Sequence, residues 1–167
     1  MKLSICTDVF GKIPFTEMLD KVKAYGISAV EMTAGGWGGC CFIPSAEELI
    51  NDDKKRLAFK EELDKRNIEI SALNCSGNPL VDSPMGQEHS RTIHDTVELA
   101  GKLGVETVVT MSGLPEGAPG EHTPNWLTST ISWPEFEGVN YMVEAMKYQW
   151  DVAGKWWKEI CAFAKKN

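Results

Sequence analysis

The stretch that decides the fold is Glu106–Trp133, which reads ETVVTMSGLPEGAPGEHTPNWLTSTISW. It begins with the β-branched run Thr107–Thr110, which favours a strand buried on both faces. About twenty residues rich in Gly, Pro and Trp follow before the next helical pattern, and loops of that length in compact domains are usually functional or disordered. A buried strand that opens into a long loop with aromatic residues predicts a binding site at the end of a sheet.

The chain on either side of this stretch alternates strand and helix patterns. Ser45 and Glu48 have the spacing of a capping box and predict the start of a short helix. In the charged helix that follows, we expect Leu57, Phe59 and Leu63 to make the apolar contacts. The four predicted strands are Lys2–Thr7, Ile27–Thr33, Ile68–Leu73 and Thr107–Thr110, and the later helices span about Asp53–Arg66, Ser90–Leu103 and Val139–Lys165.

Four successive strand–helix units place the chain in the α/β class, with a parallel sheet and right-handed crossovers. This pattern alone leaves two architectures open, a doubly wound sheet and a (β/α) barrel. The glycine fingerprints of dinucleotide and P-loop sites are absent from the sequence. A complete barrel has eight such units in ~250 residues. If the fold is a TIM barrel, four of the eight units are present, as a half-barrel forming a single domain over residues 1–167.

Composition limits the possible partners and compartments. The chain of 167 residues is 43% hydrophobic and 25% charged, which is ordinary for a globular protein. A net charge of -7 and a pI near 5.0 argue against a nucleic-acid partner, because phosphate binding needs a basic face. No apolar run is long enough for a membrane span, and five cysteines without scaffold spacing fit a reducing compartment. The sequence therefore predicts a cytoplasmic protein.

Several motifs resemble one known family along essentially the whole chain. They follow the predicted strands in order: TDVF at 7–10, VEM at 30–32, ALNCSGNPL at 72–80, VVTMSGLPEGAPGEHTPNW at 108–126 and SWP at 132–134. Together they resemble the sugar phosphate isomerase/epimerase group of the xylose isomerase-like TIM barrels. The resemblance covers the N-terminal half of that family's barrel.

The resemblance implies an activity whose central residues lie elsewhere. Members of the family move a proton between adjacent sugar carbons with the help of a divalent metal, Mn or Mg. Their metal ligands and acid–base residues follow the fifth to eighth strands. We therefore expect this chain to hold no catalytic residue and no metal ligand of its own, and to contribute the wall that contacts a small-molecule sugar or sugar phosphate.

Candidate substrate-binding residues follow the predicted strands, because TIM barrels place their sites at the strand carboxyl ends. Glu31 is either such a residue or a solvated rim carboxylate, and the segment Asn74–Pro79 either binds sugar hydroxyls or forms an ordinary turn. A tryptophan in these loops can stack on the apolar face of a sugar. The candidates are Asp8, Glu31, Trp37, Asn74, Ser76, Asn78, Ser112 and Trp126.

The histidines and cysteines do not suggest a metal site. His89, His94 and His122 match no zinc-binding spacing, and a lone histidine is more often structural. Cys40 and Cys41 are adjacent, and adjacent cysteines chelate one ion poorly. The sequence therefore predicts no metal held by this chain.

Two functional hypotheses follow. The first is an isomerase/epimerase of the family above, present as a half-chain. The second is a non-catalytic half-barrel remnant that binds a polyol or self-associates, since a four-stranded parallel sheet leaves two edges unpaired. Two copies related by a two-fold axis would pair these edges and form a homo-oligomer. The endonuclease branch of the superfamily is disfavoured by the acidic composition.

Overall fold

A computed structural model describes residues 2–38, 42–125 and 140–167. The chain divides into two compact units. The first unit comprises Met1–Ser76, Thr92–Thr110 and Asn167, and the second comprises Gly77–Arg91 and Met111–Lys166. The single domain over residues 1–167 stays a prediction.

The first unit contains a four-stranded sheet in which every pair of neighbouring strands is parallel. The strand order is the chain order, so each strand pairs with the one before it. This confirms the predicted α/β class with parallel strands. The strands are β1 (Ser4–Cys6), β2 (Ala29–Thr33), β3 (Glu69–Asn74) and β4 (Val108–Val109).

Five α-helices are present among the described residues, and none of them is long and apolar enough to cross a lipid bilayer. The fourth begins at Pro84, earlier than the predicted Ser90, and proline is favoured in the first turn of a helix. The helices are α1 (Phe15–Ala24), α2 (Ala46–Asn51), α3 (Asp53–Asp64), α4 (Pro84–Leu103) and α5 (Asn140–Ala164).

Side-chain caps fix the boundary between α2 and α3. The Glu48 N–H donates to Ser45 Oγ at 3.2 Å, which confirms the predicted cap of α2. Asp52 has extended backbone geometry and its carboxylate accepts from the N–H groups of Lys54 and Lys55 at 2.9 and 3.1 Å. These bonds satisfy amides that the first turn of α3 leaves without helical partners.

The core of the first unit lies between one face of the sheet and the helices of that unit. On the sheet side, Val30, Met32 and Leu73 are fully buried. On the helix side, the Phe15 and Phe59 rings stack with centroids 4.9 Å apart. The buried helical residues of this cluster include Met18, Leu19, Val22, Phe59, Leu63 and Leu99.

Two predicted burial assignments are wrong. Leu57 is 59% exposed, because Phe59 and Leu63, four residues apart, share a face of α3 that Leu57 does not. Val108 and Val109 are half-buried rather than buried on both faces, because β4 is the last strand in the order and pairs only with β3.

A register shift in the β2–β3 pair decides which side chains share a face. Val30 pairs with Ile70, whereas the next residue, Glu31, pairs with Ala72, so Ser71 is the extra residue. Ser71 Oγ donates to the Val30 carbonyl at 3.0 Å. Since side chains alternate along a strand and paired residues share a face, the shift places Glu31 on the same face as Asn74.

Candidate functional site

A hydrogen-bonded acid and amide lie at the carboxyl ends of β2 and β3. Asn74 Nδ2 donates to Glu31 Oε1 at 2.7 Å. Asn74 Oδ1 accepts from the Ser76 backbone N–H at 3.0 Å and from Ser76 Oγ at 2.8 Å. Because Ser76 occupies the amide oxygen, the amide nitrogen is directed at the carboxylate. All three residues are half-buried, so the Glu31 carboxylate is held in place and still reachable from solvent.

A second acid follows β1 at the same edge of the sheet. Thr33 Oγ1 donates to Asp8 Oδ1 at 2.6 Å; Thr33 is 3% exposed, whereas Asp8 is exposed. Thr7 is fully buried, and its hydroxyl has no hydrogen-bond partner among the described residues. Thr7 and Thr33 were not predicted as site residues, because β-branched residues at strand ends are indistinguishable from ordinary strand formers.

The backbone after β2 contacts the backbone after β3. The Ala34 N–H donates to the Asn74 carbonyl at 2.7 Å, and the Trp37 N–H donates to the Ser76 carbonyl at 2.8 Å. Gly36 has a φ of +80°, and a Cβ at this position would lie 2.1 Å from the Ser76 carbonyl oxygen. A side chain therefore has no room at residue 36. The neighbouring Trp37 is 49% exposed.

We refer to Asp8, Glu31, Thr33, Asn74 and Ser76 as the strand-end cluster. It presents two carboxylates, an amide and hydroxyl groups at the edge where parallel α/β sheets bind ligands. Carboxylate oxygens accept hydrogen bonds from hydroxyl groups, so the cluster has the chemistry to bind a polyhydroxylated molecule. With Trp37, it accounts for five of the eight predicted site residues, and their contact with a substrate stays a prediction.

Asn78 lies in the second unit, where its side chain joins two loop segments. Its Nδ2 donates to the Leu114 carbonyl at 2.8 Å, and its Oδ1 accepts from the N–H groups of Leu114 at 2.9 Å and Leu80 at 3.3 Å. Asn78 is 2% exposed, and its own N–H donates to His89 Nδ1 at 3.0 Å. These contacts assign Asn78 and His89 a structural role, and substrate binding by Asn78 stays a prediction.

The two remaining candidate residues are Ser112 and Trp126. Ser112 is exposed, and its backbone carbonyl accepts from Trp157 Nε1 at 2.9 Å. Its hydroxyl is the group predicted to reach substrate, which stays a prediction. Trp126 lies outside the described residues, as do Cys40 and Cys41.

The second unit contains a cavity that sequence reasoning missed. It has a volume of about 500 Å³ and is lined by residues of the 117–125 loop and by α5 residues, including Glu121, Glu144 and Tyr148. Burial, followed by the nearby charges of Glu116, Asp82 and Glu121, raises the pKa of the Tyr148 hydroxyl. Glu116 is itself 3% exposed and accepts from the Asp82 N–H. No sequence motif marks Asp82 and Glu116 as neighbours, since they are 34 residues apart in the chain.

The described residues do not fit a divalent metal. Within residues 2–38, 42–125 and 140–167, no group of three or more His, Cys, Asp or Glu side chains is arranged to hold an ion. The buried Cys75 makes hydrogen bonds instead, including a contact of 3.7 Å to the Val109 carbonyl. Burial raises the pKa of its thiol, opposed by hydrogen bonds with Thr96 and Thr110, so the reactive thiolate is disfavoured.

Comparison with known proteins identifies the family. A family profile described as a xylose isomerase-like TIM barrel matches residues 19–166. The chain belongs to this family. Four parallel strands in chain order, each followed by helical segments, are what one half of such an eight-stranded barrel contains. The predicted half-barrel is thereby confirmed at the level of the fold.

A curated relative extends well beyond this chain. The uncharacterized protein YfiH of Bacillus subtilis (strain 168) is 44% identical over 161 residues. The match includes 96% of this chain and 50% of YfiH. The chain thus spans about half the length of the curated relative that it matches.

Two solved structures are similar at low identity. A xylose isomerase-like TIM barrel protein from Mycobacterium smegmatis in complex with magnesium matches 93% of this chain and 52% of its own, with 16% identity and a TM-score of 0.49. The probable 3-DHS dehydratase AsbF from Bacillus anthracis, involved in petrobactin synthesis, matches 66% of this chain and 38% of its own, with 17% identity and a TM-score of 0.47. Neither match bears on the activity of this chain.

Proposed function

We propose that this chain forms the substrate-contacting wall of a sugar or sugar phosphate isomerase/epimerase. Membership of the xylose isomerase-like TIM barrel family supports the proposal at the level of fold. The observation that carries it is the hydrogen bond of 2.7 Å between Asn74 and Glu31 at the carboxyl ends of β2 and β3. A carboxylate held in place by a neighbouring amide at this edge is a preorganised hydrogen-bond acceptor for the hydroxyl groups of a sugar.

The geometry of the strand-end cluster gives each residue a separate task. Glu31 accepts from one substrate hydroxyl while Asn74 holds its other oxygen. Asp8, held by Thr33 at 2.6 Å, accepts from another hydroxyl. The exposed indole of Trp37 offers a flat apolar surface on which a sugar ring can stack. This combination selects polyhydroxylated molecules over apolar ones.

We assign the divalent Mn or Mg that the proposed activity requires to residues other than the described residues of this chain. The described residues offer no suitable set of ligands, so no step of the proton transfer is assigned to them. When bound, such a cation polarises the substrate carbonyl next to the carbon that loses its proton. The 167-residue chain alone is therefore expected to bind substrate without converting it.

Binding of a panel of aldoses, ketoses and their phosphates, followed by NMR titration, tests the proposal. Glu31→Gln removes the charge while keeping the shape, and we expect it to weaken sugar binding about tenfold to a hundredfold, because hydrogen bonds to charged groups are the stronger ones. Glu69→Gln is the matched control. Glu69 is the first residue of β3, at the end of that strand opposite Asn74, and it forms a surface ion pair with Lys2. If wild type binds no member of the panel, or if both variants bind equally well, the proposal is wrong.

A non-catalytic half-barrel is the second candidate, favoured by the absence of a ligand set among the described residues and by the match to about half of YfiH. Incorporation of deuterium from solvent into a ketose, with Mn present, distinguishes the two candidates. The chain alone is compared with an extended chain, in which it is joined to the part of YfiH outside the match. Exchange at the carbon next to the ketose carbonyl in the extended chain supports the isomerase/epimerase. Its absence there, with sugar binding retained, supports the non-catalytic protein. A cytoplasmic location and pairing through the sheet edges stay predictions.

A further inference from the structure

One exposed side of α5 carries large apolar residues. Trp150 is 74% exposed and Val143 is 47% exposed, although most large hydrophobic residues of the described chain are shielded. The two are seven residues apart and therefore lie on the same side of the helix. Gly154 is one turn after Trp150, and a Cβ there would meet nothing within 4 Å. The surface thus has an apolar ridge, with the exposed Lys147 between its two members, next to open space.

Charged residues beside this ridge form an ordered row. Glu144, Asp151, Lys158 and Lys165 follow one another at intervals of seven, and all four are exposed. The first two are acidic and the last two are basic. Lys165 directly follows α5, and its N–H still donates to the Cys161 carbonyl at 3.2 Å, so it continues the helical path. Within the described parts of the chain, none of the four makes an ion pair. When the same row from a second helix runs in the opposite direction, each acidic residue therefore lies beside a basic one.

We propose that this side of α5 binds the same side of α5 in a second copy of the chain, antiparallel about a two-fold axis near Gly154. In that arrangement Asp151 faces Lys158 of the second copy, and Glu144 faces its Lys165. Symmetry makes each contact occur twice. The charge pattern favours a second copy of the chain as the binding partner, because an antiparallel copy places an opposite charge beside each of the four residues of this row.

The geometry of a helix pair agrees with this arrangement. A two-fold axis perpendicular to two antiparallel helices sets each row of side chains beside its own reversed copy. Gly154 then lies at the closest approach, where the missing side chain allows the backbones to come near each other. Trp150 is the apolar anchor, since tryptophan is enriched among residues that dominate binding energy. At 1.5 Å per residue, α5 is about 37 Å long, which is enough for all four charges to be used.

The solution mass over a concentration series, measured by light scattering at low salt, tests the proposal with single charge reversals. Wild type is expected to form a dimer. Asp151→Lys and Lys158→Glu each turn two attractive contacts into two repulsive ones, and we expect each to raise the dissociation constant about tenfold or more. Lys54→Glu, on an exposed position of α3, is the control and leaves the dissociation constant unchanged.

Two further samples identify the pairing. The double variant Asp151→Lys with Lys158→Glu restores complementarity and is expected to regain wild-type dimerisation. An equimolar mixture of the two single variants is expected to form a heterodimer, because one then carries two bases where the other carries two acids. A wild-type monomer at every concentration, or a dimer that both reversals leave unchanged, overturns the proposal. The second result would instead be expected from pairing through the sheet edges.

Discussion

Replacing Gly36 by alanine is expected to disturb the strand-end cluster without changing any of its side chains. The new Cβ would lie 2.1 Å from the Ser76 carbonyl oxygen, and the φ of +80° is one that alanine tolerates poorly. The segment after β2 must therefore move away from Ser76 by about an ångström, since contacts below about 3 Å are not sustained. This movement breaks the 2.8 Å bond from the Trp37 N–H to Ser76.

The size of the effect follows from these separate costs. A left-handed backbone costs about 1–2 kcal/mol for a residue other than glycine. Loss of the Trp37 hydrogen bond adds about 0.5–1.5 kcal/mol. We expect Gly36→Ala to lower the free energy of unfolding by about 2–4 kcal/mol, with the relief of the steric overlap included.

Gly26→Ala is a matched control. Gly26 has a φ of +71°, but nothing lies within 4 Å of the position that a Cβ would take there. It should therefore show the backbone cost alone, about 1–2 kcal/mol. Urea unfolding followed by circular dichroism measures both variants, and sugar titration by NMR should show weaker binding for Gly36→Ala alone. Equal losses of stability in the two variants would refute the steric argument.

Three other expectations concern single side chains. Asn78→Ala leaves the Leu114 backbone N–H and C=O without their partner, so urea unfolding should show a loss of about 2 kcal/mol; a loss below about 0.5 kcal/mol would contradict the structural role. The hydrogen bond from Arg66 lowers the pKa of the Asp20 carboxyl from its ordinary 3.8. The resulting stabilisation is present above that value and is lost as the pH falls through the lowered pKa. Arg66→Met should therefore flatten the acid side of a plot of melting temperature against pH, and an unchanged acid side would count against the pair. Burial raises the pKa of the Cys75 thiol, so iodoacetamide should alkylate it slowly at about pH 8 in the native protein and rapidly in urea, as mass spectrometry can show; equal rates would disprove the shielding.

The sequence predicted the order and type of the strands because their signals are local. Apolar runs, turn residues and the Ser45 cap can be read within a few positions. The early start of α4 at Pro84 was missed, because the polar residues before Ser90 carry little apolar periodicity. The half-burial of Val108 and Val109 is not predicted, because it depends on the position of β4 in the sheet, which neighbouring residues do not encode.

The sequence places the candidate residues at strand ends, but it does not show which of them hydrogen-bond to one another. The sequence predicts Glu31 and Asn74 as strand-end residues, but their hydrogen bond depends on the register shift at Ser71, which no local pattern indicates. The same reasoning predicts Asn78, yet its side chain is 2% exposed and its amide is hydrogen-bonded to backbone groups. An asparagine after a strand has the same sequence signal in both cases.

The order of the strands has a consequence for synthesis on the ribosome. Each strand of the sheet pairs with the strand made just before it. The chain leaves the ribosome N-terminus first, so the strand that each new strand pairs with has already been made. No later strand has to be inserted between two strands that are already paired. Domains generally fold as they are translated when their contacts allow it. The sheet of this protein can grow by accretion at one edge, in step with translation.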